Sequence, residues 1–316
     1  MLSSEAVRPE AGRPEAKRDV GRHRLPIRRG EAWTALLFLL PSLVIFTVFL
    51  FYPFFSSIYL SLHLTDPRGR VVEYVGTDNY IRILTDPYFL GSLKTTGLFA
   101  LYTVPTTIVL ALIAAFLSRQ VRRGQAGIRF VYALPMAVSV GTGAVIWGLL
   151  FNPSVGLLNA GLHALGLGPV FWLSDPKWAL FSVSLMTVWL NFGFAYIVLV
   201  GGMEAIPEEL YESARLDGAG LWSLFRFIVL PLLSPHLFFL LVVSVIGALQ
   251  AFGQIHLLTQ GGPMNATNVY VYNLYLEAFR DYRFGTGSAM ALVLFALVLV
   301  LTLAQFRVLE KRVHYQ

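Results

Sequence analysis

No cysteine occurs in the sequence, which excludes a disulfide framework, a cysteine zinc site, a thiol nucleophile and an iron–sulfur cluster together. No Gx4GK[ST] loop is present either, so the chain does not bind ATP in the P-loop manner. HExxH and GxSxG are equally absent, which removes the commonest signatures of a zinc hydrolase and of a serine nucleophile elbow. His163, His236 and His256 are isolated and receive no role. Charge is scarce as well. Asp, Glu, Lys and Arg make up 13% of the 316 residues, against roughly 25% in soluble domains. Hydrophobic residues make up 56%, and they fall in blocks long enough to cross a bilayer, which takes about 20 residues.

Those blocks predict an all-α integral membrane protein with six transmembrane helices, at about Trp33 to Leu60, Gly91 to Leu117, Ile128 to Phe151, Trp178 to Gly201, Phe227 to Gln250 and Ser288 to Phe306. Residues 1–30 read as a disordered basic tail without an apolar run, and residues 31–316 as the membrane domain. The tail is not a cleavable signal, because the apolar run after Glu31 far exceeds a signal's roughly 7 to 15 residues. Lys and Arg set the orientation. With the N-terminus inside, only Arg68, Arg70, Arg82, Lys94, Lys177, Arg280 and Arg283 of the 24 basic residues fall outside. Both termini are therefore expected in the cytoplasm. The net charge of +6 sits beside the spans, a placement that points to membrane orientation and not to nucleic acid. Pro41 and Pro53 in the first span and Pro231 and Pro235 at the start of the fifth are candidate kinks.

Between the fourth and fifth spans, Glu204 to Pro231 carries a short helix followed by a turn. Pro207 suits its first turn, Glu208 and Glu209 suit its positive N-terminal end, and Gly218 or Gly220 supplies a left-handed stop. Interfacial helices lying on lipid favour basic polar faces. This one has Glu204, Glu208, Glu209, Glu212 and Asp217 against Arg215. An anionic leaflet repels such a face, so the expected partner is a protein.

Glu212-Ser-Ala214, then Gly218, then Ile228-Val-Leu-Pro231 resembles the EAA motif of binding-protein-dependent ABC importer permeases, with Ser213 in place of the usual Ala. Val75-Gly76 with Asn79-Tyr80, Asn152-Pro153 with Gly156 and Asn159, Leu258 to Pro263, and Gly285 to Ala289 are similar to the carbohydrate branch of that family, of MalF/UgpA type. The resemblance implies the type I ABC importer permease fold in the cytoplasmic, or inner, membrane. It also implies a cytoplasmic coupling loop at about 202–227 whose helix docks on a separate ATPase through Glu212, Ser213, Ala214, Asp217, Gly218 and Ala219. Its implied partners are a second homologous permease, two ATPase subunits, an extracytoplasmic solute-binding protein and the lipid bilayer. The chain itself is then no enzyme and binds no cofactor; ATP and magnesium belong to the ATPase.

A polar solute needs hydrogen-bonding groups inside the spans. Ser244, Gly247, Gln250 and Gln254 recur at three- and four-residue intervals as one candidate stripe, with Gln254 toward the outer surface. Asn191 lies among Trp189, Phe192 and Phe194, an amide-plus-aromatic setting suited to sugars. The resemblance adds Asn191, Phe194, Ser244 and Gln250 as solute contacts and Gly261, Gly262 and Pro263 as a docking loop for the binding protein. The alternative is a secondary transporter or channel, which needs ionisable residues within the spans for ion coupling. Lys94 and Arg129 stand only near span ends.

Overall fold

A computed structural model describes residues 29–121 and 123–309. Apart from Arg29 and Gly30, which open the first helix, the tail expected over 1–30 lies outside the described residues, as do Arg122, Lys311 and Arg312. The chain divides into two compact units, Met1–Pro53 and Phe54–Gln316.

In the first unit, α1 (Arg29–Phe46) runs through Pro41 into a π-helical turn at Thr47–Phe51. In chain order there follow α2 (Tyr52–Ser61), the antiparallel hairpin β1 (His63–Thr65) and β2 (Val71–Tyr74), α3 (Asp78–Thr85), α4 (Pro87–Gln120), α5 (Gln125–Ala133), α6 (Val140–Leu150), α7 (Leu157–Ala164), α8 (Pro176–Glu204), α9 (Glu208–Leu216), α10 (Leu221–Leu224), α11 (Leu230–Leu232), α12 (Ser234–Leu249), α13 (Gly253–Leu258), α14 (Tyr270–Tyr275) and α15 (Phe284–Leu309).

Among the described residues, four stretches are long and apolar enough to cross a membrane as single helices: Leu36–Ser61, Pro87–Gln120, Pro176–Glu204 and Phe284–Val308. The third and fifth expected spans are broken. Gln125–Ala137 meets Val140–Leu150 at 102°, and Leu221–Leu232 meets Ser234–Leu249 at 67°. Proline explains both, because each one removes a backbone donor and crowds the preceding turn. Pro135 lies in a 3-10 turn ahead of an extended Val138, and Ser139 recaps α6 by accepting from the Thr142 amide at 3.1 Å. Pro231 and Pro235 flank the second break. The second bent pair begins at Leu221, ahead of the expected start at Phe227.

The unbroken spans α4 and α8 open identically. Asp86-Pro87 and Asp175-Pro176 each place proline at the first helical position, and each aspartate accepts from a backbone amide two residues on, at 2.9 Å. The aspartate satisfies one helix-start donor that has no partner inside the helix, and the proline, lacking an N–H, removes another. Half of the apolar window of α8 is buried, against 11% in α15, which makes α8 the central helix of the second unit. At Gly193 it admits the broken third span: a Cβ there would meet the Ala133 carbonyl and the Met136 amide at 3.0 Å.

Several family-like motifs prove to be staples of the fold. The Asn79 amide donates to the carbonyls of Ser61 at 2.9 Å and His63 at 3.2 Å, and its oxygen accepts from Thr286 at 3.3 Å. The hairpin, α3 and the start of α15 are thereby joined. Asn159 uses its whole amide, donating to Pro153 and Val170 carbonyls and accepting from the Val170 amide and the Trp172 indole, all at 3.0–3.1 Å. Replacing a pin of this kind strands buried donors and acceptors at about 1–3 kcal/mol. Asn159→Ala is accordingly expected to lower the Tm of the detergent-purified chain by several degrees, a shift readable by differential scanning fluorimetry.

Candidate functional site

The loop helix α9 starts at Glu208, with Pro207 one position ahead of the first turn. Its end is defined by hydrogen bonding. The Ala219 amide reaches the Ala214 carbonyl at 2.9 Å, and the Gly218 amide reaches the Arg215 carbonyl at 3.0 Å. These are the two bonds of a Schellman stop, which puts the residue after the C-cap in the left-handed region. Gly218 has φ +79° there. A Cβ on Gly218 would meet nothing within 4 Å, so within this chain the glycine serves backbone conformation and not close packing. Glu212, Ser213, Asp217 and Gly218 are exposed, Ala214 and Ala219 are half-buried, and Leu216 is 89% exposed.

The opposite face of α9 is anchored. Tyr211 is 2% exposed and belongs to one apolar cluster with Ala115 of α4, Tyr196, Leu199 and Met203 of α8, Leu224 of α10 and Leu240 of α12. The Arg119 guanidinium lies 4.1 Å from the Tyr211 ring centroid, pairs with Glu208 and donates to the Met203 carbonyl at 3.2 Å. Arg129 pairs with Glu204 at 2.5 Å. Burial raises the Tyr211 hydroxyl above the usual tyrosine range against the lowering pull of Arg119, so it stays neutral. Arg119 and Arg129 counted in the sequence only as inside charges. Their pairing with Glu208 and Glu204 depends on which helix ends meet, and no spacing within the chain encodes that.

The candidate solute residues separate into exposed and enclosed sets. Asn191 and Phe194 lie on an exposed strip of α8, and Phe194 contacts Phe239 of α12 with ring centroids 6.5 Å apart. On α12 the exposed strip is Phe239, Val243, Gly247 and Gln250. Ser244 is half-buried, off that strip, as a helix of 3.6 residues per turn requires. The stripe expected to continue to Gln254 does not. Gln250 caps α12, the chain leaves helical geometry through Ala251 and Phe252, and Gln254 is buried on α13 instead of standing at the outer surface.

In the expected docking loop, Gly261 is buried with φ +81°, and a Cβ there would lie 2.9 Å from the Tyr272 ring. Thr267 bonds the Gly262 carbonyl at 2.7 Å. Gly262 and Pro263 are half-exposed, and the apex is Met264, 89% exposed. Among the described residues no group of three His, Asp or Glu side chains is arranged to hold a metal ion.

Comparison with known proteins matches residues 28–315 to the family described as binding-protein-dependent transport system inner membrane component. The chain is 36% identical over 288 residues to the sn-glycerol-3-phosphate transport system permease protein UgpA of Yersinia enterocolitica, covering 90% of this chain and 97% of that one. It is 35% identical over 272 residues to a probable ABC transporter permease of Pyrococcus horikoshii, covering 85% and 92%. Among solved structures it superposes with a TM-score of 0.76 and 25% identity, over 89% of this chain and 96% of the other, on a bacterial ABC transporter involved in the import of the acidic polysaccharide alginate.

Proposed function

Because the chain belongs to the family of binding-protein-dependent transport system inner membrane components, we propose that its six spans, two of them bent, form the half-channel of an ATP-driven importer with both termini in the cytoplasm. The energy comes from a separate pair of ATPase subunits that hold ATP and magnesium. A second, homologous permease completes the channel, and an extracytoplasmic solute-binding protein delivers the cargo. The observation that carries this reading is α9, an acidic helix exposed on one face, anchored by Tyr211 on the other and stopped by Gly218. Glu212, Ser213, Asp217 and Gly218 are available to a cytoplasmic partner, with Ala214 and Ala219 behind them.

The cargo is a carbohydrate or a related polar solute. Relatives named for glycerol-3-phosphate and alginate transport support that class. Asn191, Phe194 and Gln250 stand on exposed strips joined at Phe194 and Phe239 and would line the path. Ser244 and Gln254 are poorer contacts because they are less accessible. On the outer side the binding protein would meet Gly262, Pro263 and the Met264 apex, with buried Gly261 shaping the turn.

The test is purification of the tagged chain from its native membrane, followed by reconstitution in vesicles. An ATPase subunit is expected to co-purify, and uptake is expected to require internal ATP and to persist when the proton gradient is collapsed. Gradient-driven uptake by this chain alone would instead establish the secondary-transporter alternative.

A further inference from the structure

We infer that Arg119 is the positioning residue through which movement of α9 is passed to α4 and α8. The inference rests on the coupling role proposed for α9 and names the joint that role requires.

Three contacts converge on one side chain. Arg119 stands in the last turn of α4, pairs with Glu208 in the first turn of α9, covers the Tyr211 ring at 4.1 Å and donates to the Met203 carbonyl at 3.2 Å. Met203 lies in the final turn of α8, where carbonyls lack helical partners and the helix end favours a cation. A single guanidinium therefore caps one helix, anchors another and belongs to a third. Its planar fork is needed for this, since a lysine ammonium is a point charge without a flat face. Arg129 of α5 pairs with Glu204 alongside, so two cations and two carboxylates balance at the junction.

The contacts continue toward the solute path. Ser118, the neighbour of Arg119, accepts from the Tyr196 hydroxyl at 3.0 Å. The Tyr196 ring is stacked with Phe192, centroids 6.0 Å apart, and Phe192 adjoins Asn191. A shift of α9 that keeps the Arg119 contacts must carry the end of α4 and the end of α8 with it. One that breaks them leaves only the apolar packing of Tyr211 and the short link at 205–207 to draw on α8, with no polar joint between the helices.

The test uses the whole importer reconstituted in vesicles and reads solute taken up per ATP hydrolysed. Arg119→Ala is expected to lower that ratio about tenfold, within the usual range of site-to-site coupling, while the ATPase subunit still co-purifies. Arg119→Lys should fall between the two. An Arg119→Ala ratio within about twofold of the parent in an intact complex would overturn the inference. If Arg119→Ala loses the ATPase subunit, Arg119→Lys decides: an intact complex with a lowered ratio supports the inference, and a ratio within about twofold of the parent, or loss of the subunit there too, overturns it. Failure of the parent chain to co-purify any ATPase is a different result, and it removes the coupling role of α9 itself.

Discussion

Gly218→Val should leave the chain inserted in the membrane and the ATPase active, yet reduce solute uptake by about tenfold or more, on the scale of coupling between distinct sites. The argument starts from φ +79° at Gly218 and from the open space around its Cβ position. A β-branched residue in left-handed geometry costs about 1–2 kcal/mol, and nothing around the site offsets it. The chain escapes by unwinding the stop. The Ala219 and Gly218 amide bonds to Ala214 and Arg215 are lost, and the exposed end of α9 changes direction. A global penalty of that size is small beside the 5–15 kcal/mol that holds a typical domain folded, so coupling suffers before folding does. Gly218→Asn separates conformation from size, because asparagine enters the left-handed region with less strain. It should retain much more uptake than Gly218→Ala, despite being larger. Parallel assays of uptake and ATP hydrolysis on the three variants check this order.

Gly285→Ala, by contrast, should cost the folded protein. A Cβ at Gly285 would lie 2.2 Å from the His63 carbonyl oxygen and 3.3 Å from that of Leu60. Both obstacles are backbone atoms, so no side chain can swing aside. Relief requires separating the hairpin from the start of α15, and with it the bonds of Asn79 to Ser61, His63 and Thr286. Overpacking costs about 3 kcal/mol at the upper end of its usual range, and each stranded polar group adds about 1–3 kcal/mol. Gly285→Val should be hardly worse than Gly285→Ala, since the first carbon already clashes. Gly97→Ala, at a helical position with nothing within 4 Å, should be neutral or slightly stabilising. Yields of monodisperse protein after detergent extraction distinguish the three.

Hydrophobic block length made the membrane class and the four unbroken apolar helices readable, because a bilayer imposes that length on the sequence directly. The breaks were less legible. Pro231 and Pro235 announced the second weak point, but Pro135 was not singled out, and the 102° bend at Val138 and Ser139 also depends on Gly193, a residue more than fifty positions along the chain that lets α8 approach. A glycine stop at Gly218 or Gly220 was readable from local chemistry, and the backbone of Gly218, at φ +79°, decides between them. Arg119 was not readable as a joint, because its partners Met203, Glu208 and Tyr211 come from the other side of the fourth span. The expected stripe from Ser244 to Gln254 failed for a related reason: regular spacing indicates a common face only while the helix continues, and this one stops at Leu249.

The proposed docking of α9 on an ATPase can be tested directly, since any cysteine introduced into this chain is its only one. Single cysteines placed from Glu208 to Asp217 and labelled with a photoactivatable crosslinker would report what lies against each position. Adducts to the ATPase subunit are expected at the exposed positions Glu212, Ser213 and Leu216 and not at buried Tyr211, with yields that change when ATP is bound. Adducts to lipid at every exposed position, with none to protein, would contradict the coupling role.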